Sequence, residues 1–299
     1  MSTDPAAPDL VATLLANPER ADLHQTTVDS LRHAWRGGDA RWLAPGIAAE
    51  FALPSLPGDR WEMWEGLQAM GVDLVVQPAA GRRKRMLLAD MDSTMIGQEC
   101  IDELADMAGI GPHVAAITAR AMNGELDFES ALRERVALLA GLPESVIARV
   151  LAERITYTPG GRELVATMKA NGGHAALVSG GFTAFTNAVS AHLGFDESRA
   201  NRLLVEGGVL TGRVAEPILG REAKMAALRE ICARLGIGHD EVIAVGDGAN
   251  DLGMLGMAGA GVALHAKPAV AARCDIRINH GDLTALLYIQ GYSASEFVR

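Results

Sequence analysis

An α/β fold built on a parallel sheet is the fold class this sequence predicts, and three observations carry it. Short apolar runs end in clusters of small, hydroxyl and acidic residues, at Met86–Ala89, Ala175–Val178 and Val242–Val245. Segments of helical period lie between these runs, and strands alternating with helices imply a parallel sheet covered on both faces. One stretch, residues 97–155, carries helical spacing only and interrupts the alternation. The chain has 299 residues, room for one large domain or two modest ones. At 49% hydrophobic and 21% charged residues it can build an ample core.

Residues 1–82 read as a separate α+β domain. Asp9–Ala16 is a short apolar run and reads as a strand. Leu23–Trp35 has helical spacing and stops before Gly37-Gly38. Two prolines and a glycine make Phe51–Gly58 a loop, Trp61–Met70 reads as a helix and Val72–Val76 as a strand. All four tryptophans fall in this segment, which sets its texture apart from the rest. The basic run Gly81-Arg82-Arg83-Lys84-Arg85 follows. A solvated linker at a domain boundary accounts for it better than a nucleic-acid patch, because the chain has 37 acidic against 27 basic residues.

Residues 83–96 and 156–299 form the predicted catalytic core. Thr158-Pro159-Gly160 restarts the α/β pattern. Leu203–Val205, Gly207-Gly208 and Val209–Val214 read as a β-hairpin. Met225, Leu228, Ile231, Cys232 and Leu235 share one helix face. Within the insertion, Leu132, Val136 and Leu139 share a face, and Ile147, Val150 and Leu151 share another on a later helix. The insertion is a helical cap over the sheet.

Composition removes several function classes. A net charge of -10 disfavours sequence-independent nucleic-acid binding, which needs basic surface. The cysteines Cys100, Cys232 and Cys274 form no C-x-x-C pair, so they read as small buried residues in a reducing compartment. No basic n-region opens the chain, and no apolar run approaches the roughly 18–20 residues of a membrane span. A soluble, cytoplasmic protein is expected.

Ligands of parallel α/β sheets sit at the carboxyl ends of the strands, so three polar clusters after three apolar runs can converge on one site. Asp90 and Asp92 are two residues apart at a strand end, where both carboxylates can face the same space. Such a pair suits a nucleophile with a general acid/base, since each raises the other's pKa. Capping or surface aspartates give the same spacing. Ser179-Gly180-Gly181-Phe182 ends a strand and opens a helix, where a hydroxyl and glycine N–H groups form an anion cradle or a plain tight turn. Gly246-Asp247-Gly248-Ala249-Asn250-Asp251 places two more carboxylates at another strand end, and with Asp90 they can hold Mg²⁺. Its G-x-G lacks the third glycine of a dinucleotide fingerprint. Lys224, near the start of a helix, is either a solvated residue or the cation that offsets repulsion when a carboxylate attacks a phosphate dianion.

DMDST, SGGF, Lys224 and GDGAND, in that order, resemble the four motifs of the haloacid dehalogenase superfamily of phosphatases. Their intervals of 89, 45 and 23 residues resemble its phosphoserine phosphatase family. Glu99–Ala105, Met122–Phe128 and Leu132–Val136 are similar to that family's cap segments, and the likeness covers residues 83–299. The resemblance implies a Rossmann-like core with a small helical cap, and a front domain of ACT-like fold. It further implies that Asp90 attacks phosphorus and Asp92 serves as acid, then base. Mg²⁺ would sit on Asp90, Asp247 and the main-chain carbonyl of Asp92. Ser179, the Gly180 N–H, Lys224 and Asn250 would hold phosphate, with Asp251 in support. Arg135 would take the carboxylate of O-phospho-L-serine and Glu99 its ammonium, between apolar walls from Met122 and Phe128. Glu99 and Arg135 also fit as solvated helix residues. A phosphotransferase acting on another hydroxyl amino acid such as homoserine shares every core motif. A binding-only sensor is the reading from another class, and the intact Asp90/Asp92 pair counts against it. The expected partner is a small molecule, not nucleic acid or membrane. A homo-oligomer is compatible with the sequence, which sets no oligomeric state.

Overall fold

The computed structural model describes residues 10–122 and 125–299; Asp9, which heads the first predicted strand, and Asn123 and Gly124 of the cap lie outside the described residues. The front domain runs β1 (Leu10–Ala16), α1 (Gln25–Ala34), β2 (Arg41–Ala44), β3 (Ala48–Leu53), α2 (Arg60–Gln68) and β4 (Val72–Pro78). Its antiparallel sheet has the order β2-β3-β1-β4, which with this element order is a ferredoxin-like βαββαβ arrangement. Leu14, Phe51 and Leu74 of the sheet bury against Val28 and Leu31 of α1.

Two of these strands escape the sequence pattern. Phe51–Leu53, expected in a loop, complete β3 and pair with Ala12, Val11 and Leu10 of β1. The loop begins only at Pro54, which cannot donate to the ladder. The strand β2 has four residues, too few to show an alternation.

The rest of the chain continues with β5 (Met86–Ala89), then α3 (Cys100–Met107), α4 (Gly111–Met122), α5 (Phe128–Ala137) and α6 (Ser145–Glu153). These four helices occupy the predicted insertion. The alternation resumes with α7 (Gly161–Ala170), β6 (His174–Phe182), α8 (Thr183–Leu193) and β7 (Glu197–Asn201). A hairpin of β8 (Leu203–Glu206) and β9 (Val209–Val214) precedes α9 (Arg221–Leu235) and β10 (Val242–Gly246). The chain closes through α10 (Leu252–Met257), β11 (Ala260–Leu264), α11 (Pro268–Ala271), β12 (Ile276–Ile278) and α12 (Ala285–Ile289).

Six parallel strands form the core sheet, in the order β12-β11-β10-β5-β6-β7. β5 shows why it is central. Met86 and Leu88 pack toward Leu228 and Ile231 of α9, while Leu87 and Ala89 pack toward Leu164 and Val165 of α7. Both faces of the strand are therefore buried, as the continuous apolar run requires. From β5 the chain builds outward to β6 and β7 on one side, then to β10–β12 on the other. The crevice between β5 and β10 is the topological switch point, where such sheets bind ligands. β7 reads Glu-Ser-Arg-Ala-Asn and β12 has three residues, so neither carried an apolar signal.

The cap helices bury Leu132, Val136, Leu139, Ile147 and Val150 in the main core cluster. The two stems of the cap pair at Ile96 and Tyr157, and Pro143 bridges Val209, so the hairpin is joined to the cap.

The front domain joins the core through apolar and polar contacts: Leu15, Leu43, Ala48 and Val75 share the main buried cluster with Leu286 and Leu287 of α12. Asp73 of β4 is buried and accepts the main-chain N–H groups of Asn279, His280 and Gly281, each at 2.9 Å. The basic run is the seam itself. Arg82 pairs with Glu50, Arg83 with Glu296 and Arg85 with Glu241, while Lys84 Nζ donates to the carbonyls of Gly81 and Asp240. All three cysteines are buried and unbridged. No helix among the described residues is long and apolar enough to cross a membrane.

Glu50 sits at the seam with Arg41 and Arg82 each at 2.6 Å. Burial pushes its carboxyl up, but the bonds and charges of Arg82 and Arg41 outweigh this and hold it below its ordinary 4.5. With the folded pKa depressed, the pair's stabilisation is fully present above 4.5 and is lost as pH falls through the lower folded value. Glu50→Ala should destabilise by roughly 2–3 kcal/mol at neutral pH, below the roughly 3–5 kcal/mol of a fully buried broken pair, because Arg41 can turn into solvent. Urea unfolding should show the gap to wild type closing once pH drops below 4.5. A gap independent of pH would assign the effect to packing.

Candidate active site

The end of β5 delivers Asp90, the end of β10 delivers Asp247, and the loop into α10 delivers Asp251. All three are buried, and their carboxylate oxygens lie within 4.8 Å of one another. Lys224 stands in the second turn of α9, 2% exposed, with Nζ 2.7 Å from Asp90 Oδ1 and 2.6 Å from Asp251 Oδ1. The lysine expected from its position alone is thus a buried cation between two carboxylates. Asp251 Oδ2 also accepts the Gly248 N–H at 2.9 Å, so both oxygens of Asp251 are engaged.

Asp90 Oδ1 accepts from the Met91 N–H at 2.8 Å as well as from Lys224. Asp247 Oδ1 accepts from Thr94 Oγ1 at 3.3 Å. Each of these carboxylates keeps its other oxygen without a protein donor among the described residues. The donor set is all oxygen, with two carboxylates offering free atoms, and that fits a hard divalent cation. Burial pushes Asp90 well above the ordinary carboxylate range, with help from Asp251 and Asp92 and against Lys224. Burial, then Asp251 and Glu99, push Asp247 up to about 6. A bound cation would reverse this balance, being the largest local charge.

Asp92 is in a different setting. Its Oδ1 accepts the Cys100 N–H, the first residue of α3, at 3.3 Å. Burial and the neighbouring Glu99 carboxylate push it up to about 7, against that hydrogen bond. The loop reaches this geometry through Ser93, which is left-handed at φ 54°. The turn brings Thr94 back toward Asp247. Gly181 is required beside it, since a Cβ there would lie 2.7 Å from Asp92 Oδ2 and 3.1 Å from Ser179 Oγ.

Ser179 is buried, and its Oγ accepts the Gly181 N–H at 2.8 Å. The hydroxyl proton is thereby left for a ligand. Phe128, at the start of α5, lies over the same loop: a Cβ at Gly180 would meet its Cζ at 3.0 Å, and one at Gly220 its Cδ1 at 3.2 Å. Glu99 is exposed and accepts from Ser93 Oγ at 2.8 Å. Arg135 is half-buried and donates from Nε to its own helix at Ala131 O, 3.3 Å away. Its remaining guanidinium nitrogens have no acceptor among the described residues. Asn250 folds against Gly248, where a Cβ would collide with its Oδ1. The side chain of Met122 lies outside the described residues.

Sequence reasoning passed over Thr94, the Cys100 N–H and Asn201. Thr94 stood inside the quoted DMDST motif and could have been assigned from it. The other two have no local signal, since each acts on a residue brought near only by folding.

A profile of the family described as haloacid dehalogenase-like hydrolase matches residues 87–256. A phosphoserine phosphatase of Streptomyces coelicolor is 43% identical over 256 residues, 84% of this chain and 62% of that protein. The chain therefore spans less than two thirds of that relative. A phosphoserine phosphatase of Albidiferax ferrireducens is 48% identical over 208 residues, covering 68% of this chain and 88% of the relative. Among solved structures, a HAD family hydrolase of Salmonella enterica superposes with a TM-score of 0.84 at 30% identity, over 95% of this chain and 98% of the other, front domain included.

Removing the buried cation tests the electrostatics. Lys224→Met should destabilise the chain by roughly 3–5 kcal/mol, the cost of leaving a buried partner charge uncompensated. The shift in urea midpoint reads it. An unchanged midpoint would mean that Asp90 and Asp251 are already neutralised without Lys224.

Proposed function

Because the chain belongs to the haloacid dehalogenase-like hydrolase family, we propose that it hydrolyses O-phospho-L-serine to L-serine and phosphate through an aspartyl-phosphate on Asp90. The observation that carries this reading is the contrast between two carboxylates two residues apart. Asp90 is bonded to a buried lysine, whereas Asp92 has no cation on it and titrates near neutrality.

Asp90 Oδ2, the oxygen left free, attacks phosphorus in line. The new O–P bond forms as the P–O bond to serine breaks. Asp92 gives its proton to the departing serine oxygen. Asp92 then takes a proton from water as that water attacks phosphorus, and the Asp90–phosphorus bond breaks to release phosphate. A pKa of about 7 suits a group that must donate and then accept at neutral pH. Lys224, the Ser179 hydroxyl and the Gly180 N–H hold the phosphoryl oxygens, with Asn250 beside them. Mg²⁺ would be held by Asp90, Asp247 and the main-chain carbonyl of Asp92, and when bound would offset charge on the phosphoryl oxygens and the attacking carboxylate. Asp251 keeps Lys224 aimed at Asp90.

The cap supplies the amino-acid readers. Arg135 has free nitrogens for a bidentate grip on the serine carboxylate, and Glu99 has an oxygen left for the ammonium. Phe128, over the Gly180 and Gly220 backbone, supplies an apolar wall. A serine-biosynthetic, cytoplasmic role fits this substrate and the three free thiols. The front domain is proposed as an ACT-like unit on its βαββαβ order.

Phosphate release from phosphoserine, phosphothreonine and sugar phosphates, with and without Mg²⁺, tests the substrate. Phosphoserine should be preferred, and equal rates on all three would overturn the assignment. Arg135→Ala should lower kcat/KM for phosphoserine by about 10²–10³ and leave p-nitrophenyl phosphate, which has no carboxylate, nearly unchanged. Equal loss on both would make Arg135 structural.

Metal binding has its own readout. Mg²⁺ at a hundredfold excess over its dissociation constant should stabilise the native chain by about 2.7 kcal/mol. Asp247→Asn should abolish that rise in melting temperature. A rise that persists in the variant would place the cation elsewhere.

A further inference from the structure

Asn201 ends β7 with 2% of its surface exposed and holds two segments that are far apart in sequence. Its Nδ2 donates to Gly180 O at 2.8 Å and to Leu219 O at 3.1 Å. Its Oδ1 accepts the Leu219 N–H at 2.7 Å. We propose that Asn201 is a positioning residue for phosphate recognition, clamping the Ser179-Gly180 loop to the start of the helix that carries Lys224. The inference rests on the proposed phosphatase reading of this site.

The geometry on the Gly180 side is specific. The Gly180 carbonyl and the Gly181 N–H belong to one planar peptide unit. Asn201 holds the carbonyl end, and the N–H end donates to Ser179 Oγ at 2.8 Å. Fixing the plane therefore fixes which lone pair of Ser179 is occupied, and with it where the hydroxyl proton can point. Along β6 the ladder with β7 is broken between Val178 and Phe182 and resumes at Phe182 opposite Asn201. The shift in register bulges the intervening Ser179–Gly181 stretch of β6, and the Asn201 side chain bonds it there. On the other side, both polar groups of Leu219 are held, one residue before the Gly220 cap of α9. Phe128 rests on Gly180 and Gly220, one on each side of the clamp, so the cap closes on a surface that Asn201 assembles.

A residue that acts through Ser179 loses its effect once Ser179 is gone, whereas a merely structural residue does not. The test is a double-mutant cycle in the full chain with p-nitrophenyl phosphate as substrate. Asn201→Ala should lower kcat/KM roughly 10- to 100-fold, because it leaves buried carbonyl and N–H groups unpaired. In the Ser179→Ala background the same change should cost no more than about threefold. Urea unfolding of all four proteins gives the folded fraction by which each rate is corrected before the comparison. Asn201→Asp keeps the acceptor for Leu219 and loses both donors, so it should behave as the alanine variant does. Equal loss from Asn201→Ala in both backgrounds would overturn the proposal that Asn201 acts through Ser179. Wild-type activity on p-nitrophenyl phosphate without preference for phosphoserine would overturn the substrate reading alone, and the cycle would still decide the role of Asn201.

Discussion

The buried lysine between Asp90 and Asp251 is the interaction on which the site depends. Three charges held out of water are tolerated only when each is bonded and the geometry is closed. Lys224 is bonded to both carboxylates, and Asp251 is bonded again by the Gly248 N–H. Those contacts join α9, the end of β5 and the loop after β10 into one polar unit. The same unit leaves one oxygen of Asp90 and one of Asp247 facing the crevice. The arrangement that stabilises the charges thus also decides which carboxylate oxygens stay without a protein donor.

The sheet explains why these groups meet. Parallel strands send every carboxyl end to the same edge, and the reversal of build direction between β5 and β10 opens that edge as a crevice. Small residues then let polar groups close in. Gly181 lets Asp92 lie beside the serine loop, and Gly180 lets Phe128 of the cap rest on it. Asp92 gains its character first from burial and then from the cap side, where Glu99 raises its pKa and the first N–H of α3 opposes the rise. Core and cap therefore both act on this one carboxyl.

The front domain follows another logic. One face of its sheet packs Phe51 and Leu74 with Val28 of α1, while the other carries Leu15, Leu43 and Val75 into the main core with Leu286 and Leu287 of α12, and polar bonds are added at the seam. Asp73 takes three main-chain N–H groups from the turn after β12, and Glu50 takes two guanidinium groups, one from the linker. Directional bonds of this kind add a defined orientation to that non-directional apolar contact. They also account for a linker of four consecutive cations in an acidic chain, since Arg82 reaches Glu50 of β3, Arg83 reaches Glu296, and Lys84 and Arg85 both reach the His239–Glu241 turn.

Local pattern in the amino-acid order was enough to indicate the parallel α/β core, the helical insertion and the hairpin, and to place Asp90, Asp92, Ser179, Asp247 and Asp251 after apolar runs, whereas Lys224 stood out only in combination with them and by the family's motif order. The former are legible because a buried strand is a continuous apolar run, a helix face has a period, and reactive groups stand where such runs stop. What those groups do to one another was settled only by folding. Whether Lys224 is solvated or buried, and whether Asp92 titrates near its ordinary 3.8 or near 7, depends on neighbours more than a hundred residues away or on another element. The strands β2, β7 and β12 were silent for a related reason. Short or polar edge strands are held by their partner's ladder and carry little pattern of their own. Asn201, Asp73 and Thr94 form long-range hydrogen bonds, and a hydrogen bond between distant segments leaves no periodic trace in either one.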